Sequence, residues 1–535
     1  MRHKMLNGAA GHALIKNFCI NMGLVSLSVL LFACSFPNLL FENGVPFLAW
    51  IAYAPVFFML YKASLGASAL WGAFFGYAAY AVFNYWLSAF HPLSGFIVCS
   101  ILMVYNAALF FLLRLALVLF PNKGYLVQWV IWIAYEYLRT LGFLGYSYGI
   151  TGYTQWRMIP LIQIAGIFGV WGVSALVVFP SAWLGFCLKG SWRRSLIPLY
   201  AWAAVLAAVL IYGFTRPAEY PSVPKASIAL IQHNTDPWKG GIAAYRDNFT
   251  VLKRLSDEAL AADIKPDMVV WSETAFVPRI YWHETYRDDQ ESWHLVKELL
   301  DYLAVQDVPF VIGNDDGRKD PSKNPNAYEG YRVDYNAALL FHKNKIAGTY
   351  RKLHLVPFTE HFPYQKQFPA IYRALVEADT HFWEKGTEAA VFDGPGFAFA
   401  TPICFEDTFG YLSRKFVQNG AEVIVNLSND AWSGSLPAQN QHLSMAVFRA
   451  VENRRSMVRS TASGQTCGVY PNGKVFAMAP PFAEAQLTVA VPIVKGGTAY
   501  TRWGDYLAVG FTASAAVLLL FGGIACIINR NRRKV

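Results

Sequence analysis

Long apolar runs dominate the pattern of hydrophobic and polar positions along this chain. A helix of roughly 20 apolar residues crosses a hydrocarbon layer of about 30 Å, and eight runs approach that length. The runs lie near residues 20–40, 44–61, 66–88, 94–120, 124–142, 158–188, 195–214 and 506–528. The pattern predicts a polytopic α-helical membrane domain of eight transmembrane helices, seven of which precede a segment of soluble type.

The soluble segment alternates strand and helix patterns, which predicts an α/β layered domain. Several of its apolar runs are short and continuous, as expected for strands in a sheet covered on both faces. Strands are predicted at 226–233, 267–273, 309–314, 335–342, 345–352, 397–403, 421–427 and 457–462, with a hairpin at 465–478. The predicted organisation is a seven-helix membrane domain (1–215), a proline-rich linker (216–225), the α/β domain (226–500), an eighth transmembrane helix (506–528) and a basic tail (529–535).

Composition and charge agree with a membrane protein. The 535 residues are 55% hydrophobic and 15% charged, with a mean hydropathy of +0.29. Residues 1–215 hold 11 Lys or Arg against two acids, whereas residues 216–528 hold 30 against 33, so the net charge of +10 belongs to the membrane flanks. A nucleic-acid partner is disfavoured, because the soluble segment has no excess of basic residues to neutralise phosphates.

The basic residues also predict an orientation. If the eight runs alternate across the membrane, 12 Lys or Arg fall on one side and only Arg139 and Arg157 on the other. Basic residues accumulate in cytoplasmic loops, so both termini are predicted to be cytoplasmic and residues 216–505 extracytoplasmic. The acid Glu136 lies near the end of a predicted run, where a side chain that reaches out to the interface is the expected arrangement.

Three reactive groups stand at the ends of predicted strands. Cys404 ends an apolar strand and opens a segment able to start a helix, whose N–H groups favour a thiolate. Glu273 and Lys352 each end another strand. A carboxylate, an ammonium and a thiol suit nucleophilic acyl transfer as base, electrostatic stabiliser and nucleophile. No CxxC or HExxH pattern occurs, so neither a metal nor another cofactor is predicted.

The motifs W-S-E at Glu273, Y-R-K-x-H-L-V-P-F-x-E from Tyr350, and I-C-F-E-D around Cys404 resemble the nitrilase superfamily in type and order. With seven runs before the soluble segment and one after it, the chain looks like the apolipoprotein N-acyltransferases within that superfamily. The resemblance implies an α-β-β-α sandwich with Cys404 as nucleophile, Glu273 as general base and Lys352 as oxyanion stabiliser. Supporting or substrate-binding roles are implied for Glu360, Trp238, Phe405, Glu406 and Asn429.

The same resemblance implies a reaction and its partners. A phospholipid would donate a fatty acyl chain to Cys404, and the thioester would pass it to the α-amino group of a diacylated apolipoprotein. The implied location is the bacterial inner membrane, with the catalytic domain on the periplasmic side. Aromatic residues that follow two of the motifs are predicted to form lids that dip into the bilayer; they are Phe276, Tyr281, Trp282, Phe358, Phe362, Tyr364, Phe368, Tyr372, Phe382 and Trp383.

Three alternatives remain open from the residues alone. A membrane-anchored amidase that hydrolyses a small amide would use the same three groups with water as acceptor. A transporter or receptor would use the outer domain only for binding. A thiol enzyme with a histidine base could employ His354, His361 or His442, in which case Lys352→Arg should be mild.

Overall fold

The computed structural model describes residues 2–90, 93–191, 195–217, 219–236, 239–320, 332–377 and 380–532. The chain divides into two compact units. One comprises Met1–Thr215 together with Asp505–Val535, and the other comprises Arg216–Gly504.

The first unit consists of helices joined by turns and loops, and no strand occurs in its described residues. Its α-helices are Arg2–Ser35, Ala54–Leu60, Leu65–Phe83, Leu87–Phe90, Ser94–Leu119, Gly124–Leu138, Ile159–Ile162, Ala165–Phe168, Val170–Phe186, Leu196–Phe214 and Tyr506–Arg532. Six stretches of the described chain are long and apolar enough to cross a membrane: Leu14–Ser35, Leu65–Phe83, Ser94–Leu119, Val170–Gly190, Leu196–Phe214 and Tyr506–Asn531.

The expected count of eight long helices is therefore not confirmed. The run 44–61 forms a 3₁₀ turn, Pro46–Trp50, and then a separate short helix, because each segment begins with a proline near its first position. The run 124–142 gives a helix of only 15 residues. The run 158–188 is divided at Gly169, whose φ of +64° does not continue a right-handed helix.

Glu136 does not reach out to the interface, so that sequence-based interpretation is wrong. Its side chain is 1% exposed, and Oε1 accepts hydrogen bonds from the backbone N–H of Thr151 (3.0 Å) and from the Thr151 hydroxyl. Trp132 Nε1 donates to the same oxygen at 3.2 Å. The 3₁₀ turn Thr151–Gln155 supplies Thr151, and the helix that contains Glu136 supplies Trp132, which is why the carboxylate can be buried here.

The second unit contains two six-stranded sheets. In chain order the strands are β1 (Lys225–Gln232), β2 (Met268–Trp271), β3 (Phe310–Lys319), β4 (Arg332–His342), β5 (Lys345–Arg351), β6 (Phe392–Asp393), β7 (Ala398–Ala400), β8 (Val423–Ser428), β9 (Ser456–Thr461), β10 (Cys467–Val469), β11 (Val475–Met478) and β12 (Ala485–Pro492). The sheet orders are β12-β1-β2-β3-β4-β5 and β11-β10-β9-β8-β7-β6. Strands β1-β2-β3 and β7-β8-β9 pair in parallel, and β6 and β12 were not predicted.

Helices cover the outer faces of the sheets. The α-helices of this unit are Gly241–Ala261, Ile280–Tyr286, Gln290–Ala304, Pro369–Glu377, Gly410–Gln418, Leu436–Asn453 and Ala499–Trp503, with 3₁₀ turns at Cys404–Thr408 and Ala431–Ser433. In β1, Ile228 and Leu230 join a core shared by both sheets, whereas Ala229 and Ile231 join a core shared with helices. This two-sided burial explains the continuous apolar runs, and it gives the expected α-β-β-α sandwich.

Candidate active site

Two of the three predicted groups meet in a buried ion-pair cluster at the ends of β2 and β5. Lys352, whose side chain is fully buried, donates from Nζ to Oε1 of Glu273 at 3.2 Å and to Oε1 of Glu360 at 2.8 Å. A buried ammonium is tolerated only when it is paired in this way. Glu360, for which the resemblance implies a supporting role, therefore contacts Lys352 directly.

The charges of this cluster hold Lys352 in its protonated form. Burial lowers the pKa of Lys352, but the carboxylates of Glu273 and Glu360 outweigh burial and raise it well above its usual value. Burial raises the pKa of Glu360, which the Lys352 cation opposes. The second oxygen of Glu360 accepts the backbone N–H of Val356 at 2.9 Å, which fixes the segment after β5 around the ammonium.

Glu273 is held by donors from three parts of the fold. Besides Lys352, the side-chain amide of Asn336 donates to Oε1 at 2.8 Å, and the backbone N–H of Asn429 donates to Oε2 at 2.9 Å. Asn429, named from the resemblance, thus contacts Glu273 through its backbone. Asn336 was missed, although an amide inside the apolar strand β4 is the signal that could have found it.

Cys404 opens the turn Cys404–Thr408 with a φ of +50°, which a non-glycine residue adopts only when its surroundings hold it there. Burial raises the pKa of the Cys404 thiol well above its usual value, the charge of Glu273 raises it further, and the Lys352 cation opposes both. Burial and the charge of Glu273 thus favour the protonated thiol, whereas the position at the start of a helical turn was expected to favour a thiolate.

Glu406 connects the Cys404 turn to the segment after Lys352. Its fully buried carboxylate accepts hydrogen bonds from the Tyr350 hydroxyl (2.8 Å) and from the backbone N–H groups of Leu353 (2.7 Å), His354 (2.9 Å) and Ile403 (2.8 Å). Burial raises the pKa of Glu406 to about 7, and these donors oppose the rise. Glu406, for which the resemblance implies a supporting role, thus ties the Cys404 turn to the backbone after Lys352.

The remaining predicted positions differ in what they contact. Phe405 is half-buried, and its ring packs edge-on against Phe409 with centroids 5.0 Å apart. Trp238 lies outside the described residues.

Within the described parts of the chain, no group of three or more His, Cys, Asp or Glu side chains is arranged to hold a metal ion.

The three histidines considered as alternative bases have other surroundings. Burial lowers the pKa of His354 to about 4, and its Nδ1 lies 2.8 Å from the Tyr411 hydroxyl. Burial also lowers the pKa of His361. In His442 both ring nitrogens face carboxylates, those of Asp407 and Asp430. By contrast, the charge of Glu273 acts on both Cys404 and Lys352.

Comparison with known proteins agrees with this architecture. Residues 227–499 match the carbon-nitrogen hydrolase family, and residues 28–183 match the apolipoprotein N-acyltransferase N-terminal domain. The soluble unit and the helical unit thus each match a described protein family.

Several relatives match this chain over almost its full length and identify its family. The chain is 46% identical to apolipoprotein N-acyltransferase 1 of Treponema denticola, covering 97% of this chain and 99% of that protein. It is 45% identical to apolipoprotein N-acyltransferase 1 of Treponema pallidum (95% and 96% covered) and 32% identical to the apolipoprotein N-acyltransferase of Geobacter metallireducens (92% and 93% covered). The chain belongs to the apolipoprotein N-acyltransferase family, and it is a membrane acyltransferase.

Proposed function

We propose that this protein moves a fatty acyl chain from a phospholipid to the α-amino group of the N-terminal S-diacylglyceryl cysteine of an apolipoprotein. The observation that carries this proposal is the Lys352 ammonium shared between Glu273 and Glu360, within electrostatic range of the partly buried Cys404 thiol. Base, cation and nucleophile are the groups that acyl transfer through a thioester requires.

In the first half-reaction Glu273 takes the proton of the Cys404 thiol while Sγ attacks the ester carbonyl of the phospholipid. Lys352 and backbone N–H groups stabilise the oxyanion of the tetrahedral intermediate. The intermediate collapses with cleavage of the ester C–O bond, and Glu273 returns its proton to the departing glycerol oxygen. The products are an acyl thioester on Cys404 and a lysophospholipid.

In the second half-reaction the amine of the apolipoprotein attacks the thioester carbonyl. Glu273 accepts a proton from the attacking nitrogen, the C–S bond breaks, and the proton passes to the Cys404 sulfur. The product is an N-acylated lipoprotein. Because the two substrates use one site in turn, we expect ping-pong kinetics.

Lipid substrates need an apolar approach, and the segment after Lys352 offers one. In the helix Pro369–Glu377 none of the residues is buried, and Phe368 and Ile371 are each at least half exposed. Phe276, Trp282 and Phe362 are buried instead, so they pack within the fold rather than on a lid surface. We infer that the exposed part of this aromatic set, including Tyr364, contacts the bilayer.

The proposed location is the inner membrane of a bacterium, with Arg216–Gly504 on the periplasmic face and both termini in the cytoplasm. The distribution of basic residues supports this orientation, since Lys and Arg concentrate on one side of the apolar runs. A periplasmic site gives access to the acyl chains of the outer leaflet and to exported apolipoproteins.

Intact-protein mass spectrometry tests the proposal. The wild-type protein mixed with phosphatidylethanolamine should gain one fatty-acyl mass on Cys404, and a diacylated lipopeptide should then remove it and become N-acylated. Cys404→Ala should gain no such mass, whereas Cys526→Ala, which removes an exposed cysteine, should behave as wild type. An acyl mass that persists in Cys404→Ala, or release of free fatty acid without transfer to the peptide, would contradict the proposal.

A further inference from the structure

Four buried charged side chains form a closed group near the nucleophile, and we call this group the buried charge ring. None of its four residues is more than 4% exposed, and the charge of one of them acts on the Cys404 thiol. The members come from the turn Cys404–Thr408, the loop after β8, the helix Leu436–Asn453 and β9; in that order they are Asp407, Asp430, His442 and Arg459.

Each carboxylate of the ring is bonded to both cations. His442 Nε2 lies 2.8 Å from Oδ1 of Asp407, and Nδ1 lies 3.1 Å from Oδ1 of Asp430. Arg459 donates to the second oxygen of Asp407 and, at 3.4 Å, to that of Asp430. An Arg459 nitrogen also lies 3.4 Å from His442 Nδ1, and Ser428 Oγ donates to Oδ1 of Asp430 at 3.2 Å.

This geometry favours the imidazolium form of His442. A neutral imidazole carries one N–H and could donate to only one of the two carboxylates. Burial lowers the pKa of His442, but Asp407 and Asp430 outweigh burial and the opposing Arg459, and they raise it to about 9. With His442 protonated, two cations balance two anions in a region closed to water.

The ring is connected to both reacting groups through the backbone. Asp407 is the third residue after Cys404 in the same turn, whose first residue has the unfavourable φ of +50°. Asp430 directly follows Asn429, whose N–H donates to Glu273. Fixing the distance between Asp407 and Asp430 therefore fixes the nucleophile relative to the base.

We propose that His442 is a positioning residue for acyl transfer: as an imidazolium it joins Asp407 to Asp430, and so holds the Cys404 turn in register with the loop that orients Glu273. This inference rests on the proposed function, and it adds a residue that acts without touching substrate. A Gln side chain carries N–H groups on one side of its amide and an acceptor oxygen on the other, so Gln in place of His442 cannot donate to both Asp407 and Asp430. The Cys404 turn and the loop after β8 should therefore separate.

The test measures acylation of Cys404 in the full-length protein over a range of phosphatidylethanolamine concentrations. For His442→Gln the maximal acylation rate should fall roughly 10- to 100-fold, as expected for misplaced reacting groups. The half-saturating lipid concentration should change by less than about threefold, because no lipid contact is removed. His294→Gln, on the exposed face of Gln290–Ala304, should match wild type in both values.

A second measurement does not depend on how well a variant folds. In wild-type protein labelled with ¹⁵N-histidine, one imidazole with both nitrogens protonated should persist at pH 8, where exposed histidines are neutral. If every histidine at that pH carries only one protonated ring nitrogen, the proposal is overturned. Acylation of folded His442→Gln at the wild-type rate does so as well. If wild type itself gains no acyl mass on Cys404, the proposed function fails, which is a separate result.

Discussion

Glu406 shows how one carboxylate can set the geometry of a site without reacting. Its oxygens accept from three backbone N–H groups and one hydroxyl, two of the N–H groups following Lys352 and one preceding Cys404. All of these partners are donors, so the position requires an acceptor on both sides. A side chain that carries an N–H group there would leave a buried donor facing another donor.

We therefore expect Glu406→Gln to lower the free energy of unfolding by on the order of 3 kcal/mol, since hydrogen bonds to a charged acceptor are lost and a buried donor is left unpaired. The acylation rate of Cys404 should fall too, because Lys352 and the thiol lose their common anchor. Thermal unfolding and intact mass would measure the two effects. Glu388→Gln, at an exposed position of the same unit, is the control, and an equal loss in both variants would refute this role.

Glu273, Lys352 and Cys404 were chosen as candidates because each follows an apolar run, and in the structure they come after β2, β5 and β7. The residues that surround these three gave weaker sequence signals. Asn336 contacts Glu273 only because β4 pairs with β3 and β5, a register that no local pattern encodes. His442 lies in a helix whose residues are almost all buried, where its sequence neighbours give no sign of the two aspartates.

At the scale of elements, the helix Pro369–Glu377 and the residue before it expose large apolar side chains. Phe368 is 53% exposed and Ile371 50% exposed, yet a soluble domain gains about 1.5–3 kcal/mol by burying such a side chain. Insertion into the lipid interface would supply that burial.

The double variant Phe368→Ser, Ile371→Ser should raise the half-saturating phospholipid concentration by at least roughly tenfold, because apolar contact with lipid is lost. The maximal acylation rate should change much less, since both side chains are at least half exposed whereas Lys352 is fully buried. Ile264→Ser removes an apolar side chain that is 70% exposed elsewhere in the same unit, and it should leave both values unchanged. An equal effect of Ile264→Ser would mean that surface hydrophobicity in general, not this helix, is responsible.

Element boundaries show where hydropathy stops being informative. Length and apolar content identified the long helices. They could not distinguish a continuous helix from two segments divided at Gly169, or from two segments that each begin with a proline. Strand β12 was missed because it pairs antiparallel with β1 from the far end of the domain, and its half-buried residues give only a weak pattern. Tertiary pairing, rather than local preference, defines it.

At the scale of the whole molecule, orientation depends on whether the number of crossings before Arg216 is odd. Five of the long apolar helices precede that residue, and the sequence pattern predicts seven crossings. Both numbers are odd, so the same side is expected for the catalytic unit. The two counts differ in whether Pro46–Leu60 and Gly124–Leu138 also cross, and hence in the side on which Lys62 and Lys123 lie.

The positive-inside rule favours seven crossings, because that count places 12 basic residues on the cytoplasmic side and two outside, whereas five would move Lys62 and Lys123 outward. Fusions of alkaline phosphatase and of green fluorescent protein at residues 63, 215 and 535 measure this. We expect fluorescence without phosphatase activity at 63 and 535, and the reverse at 215. Phosphatase activity at 63 would show that Pro46–Leu60 does not cross, and fluorescence at 215 would place the catalytic unit in the cytoplasm, away from the lipid leaflet that the proposed reaction requires.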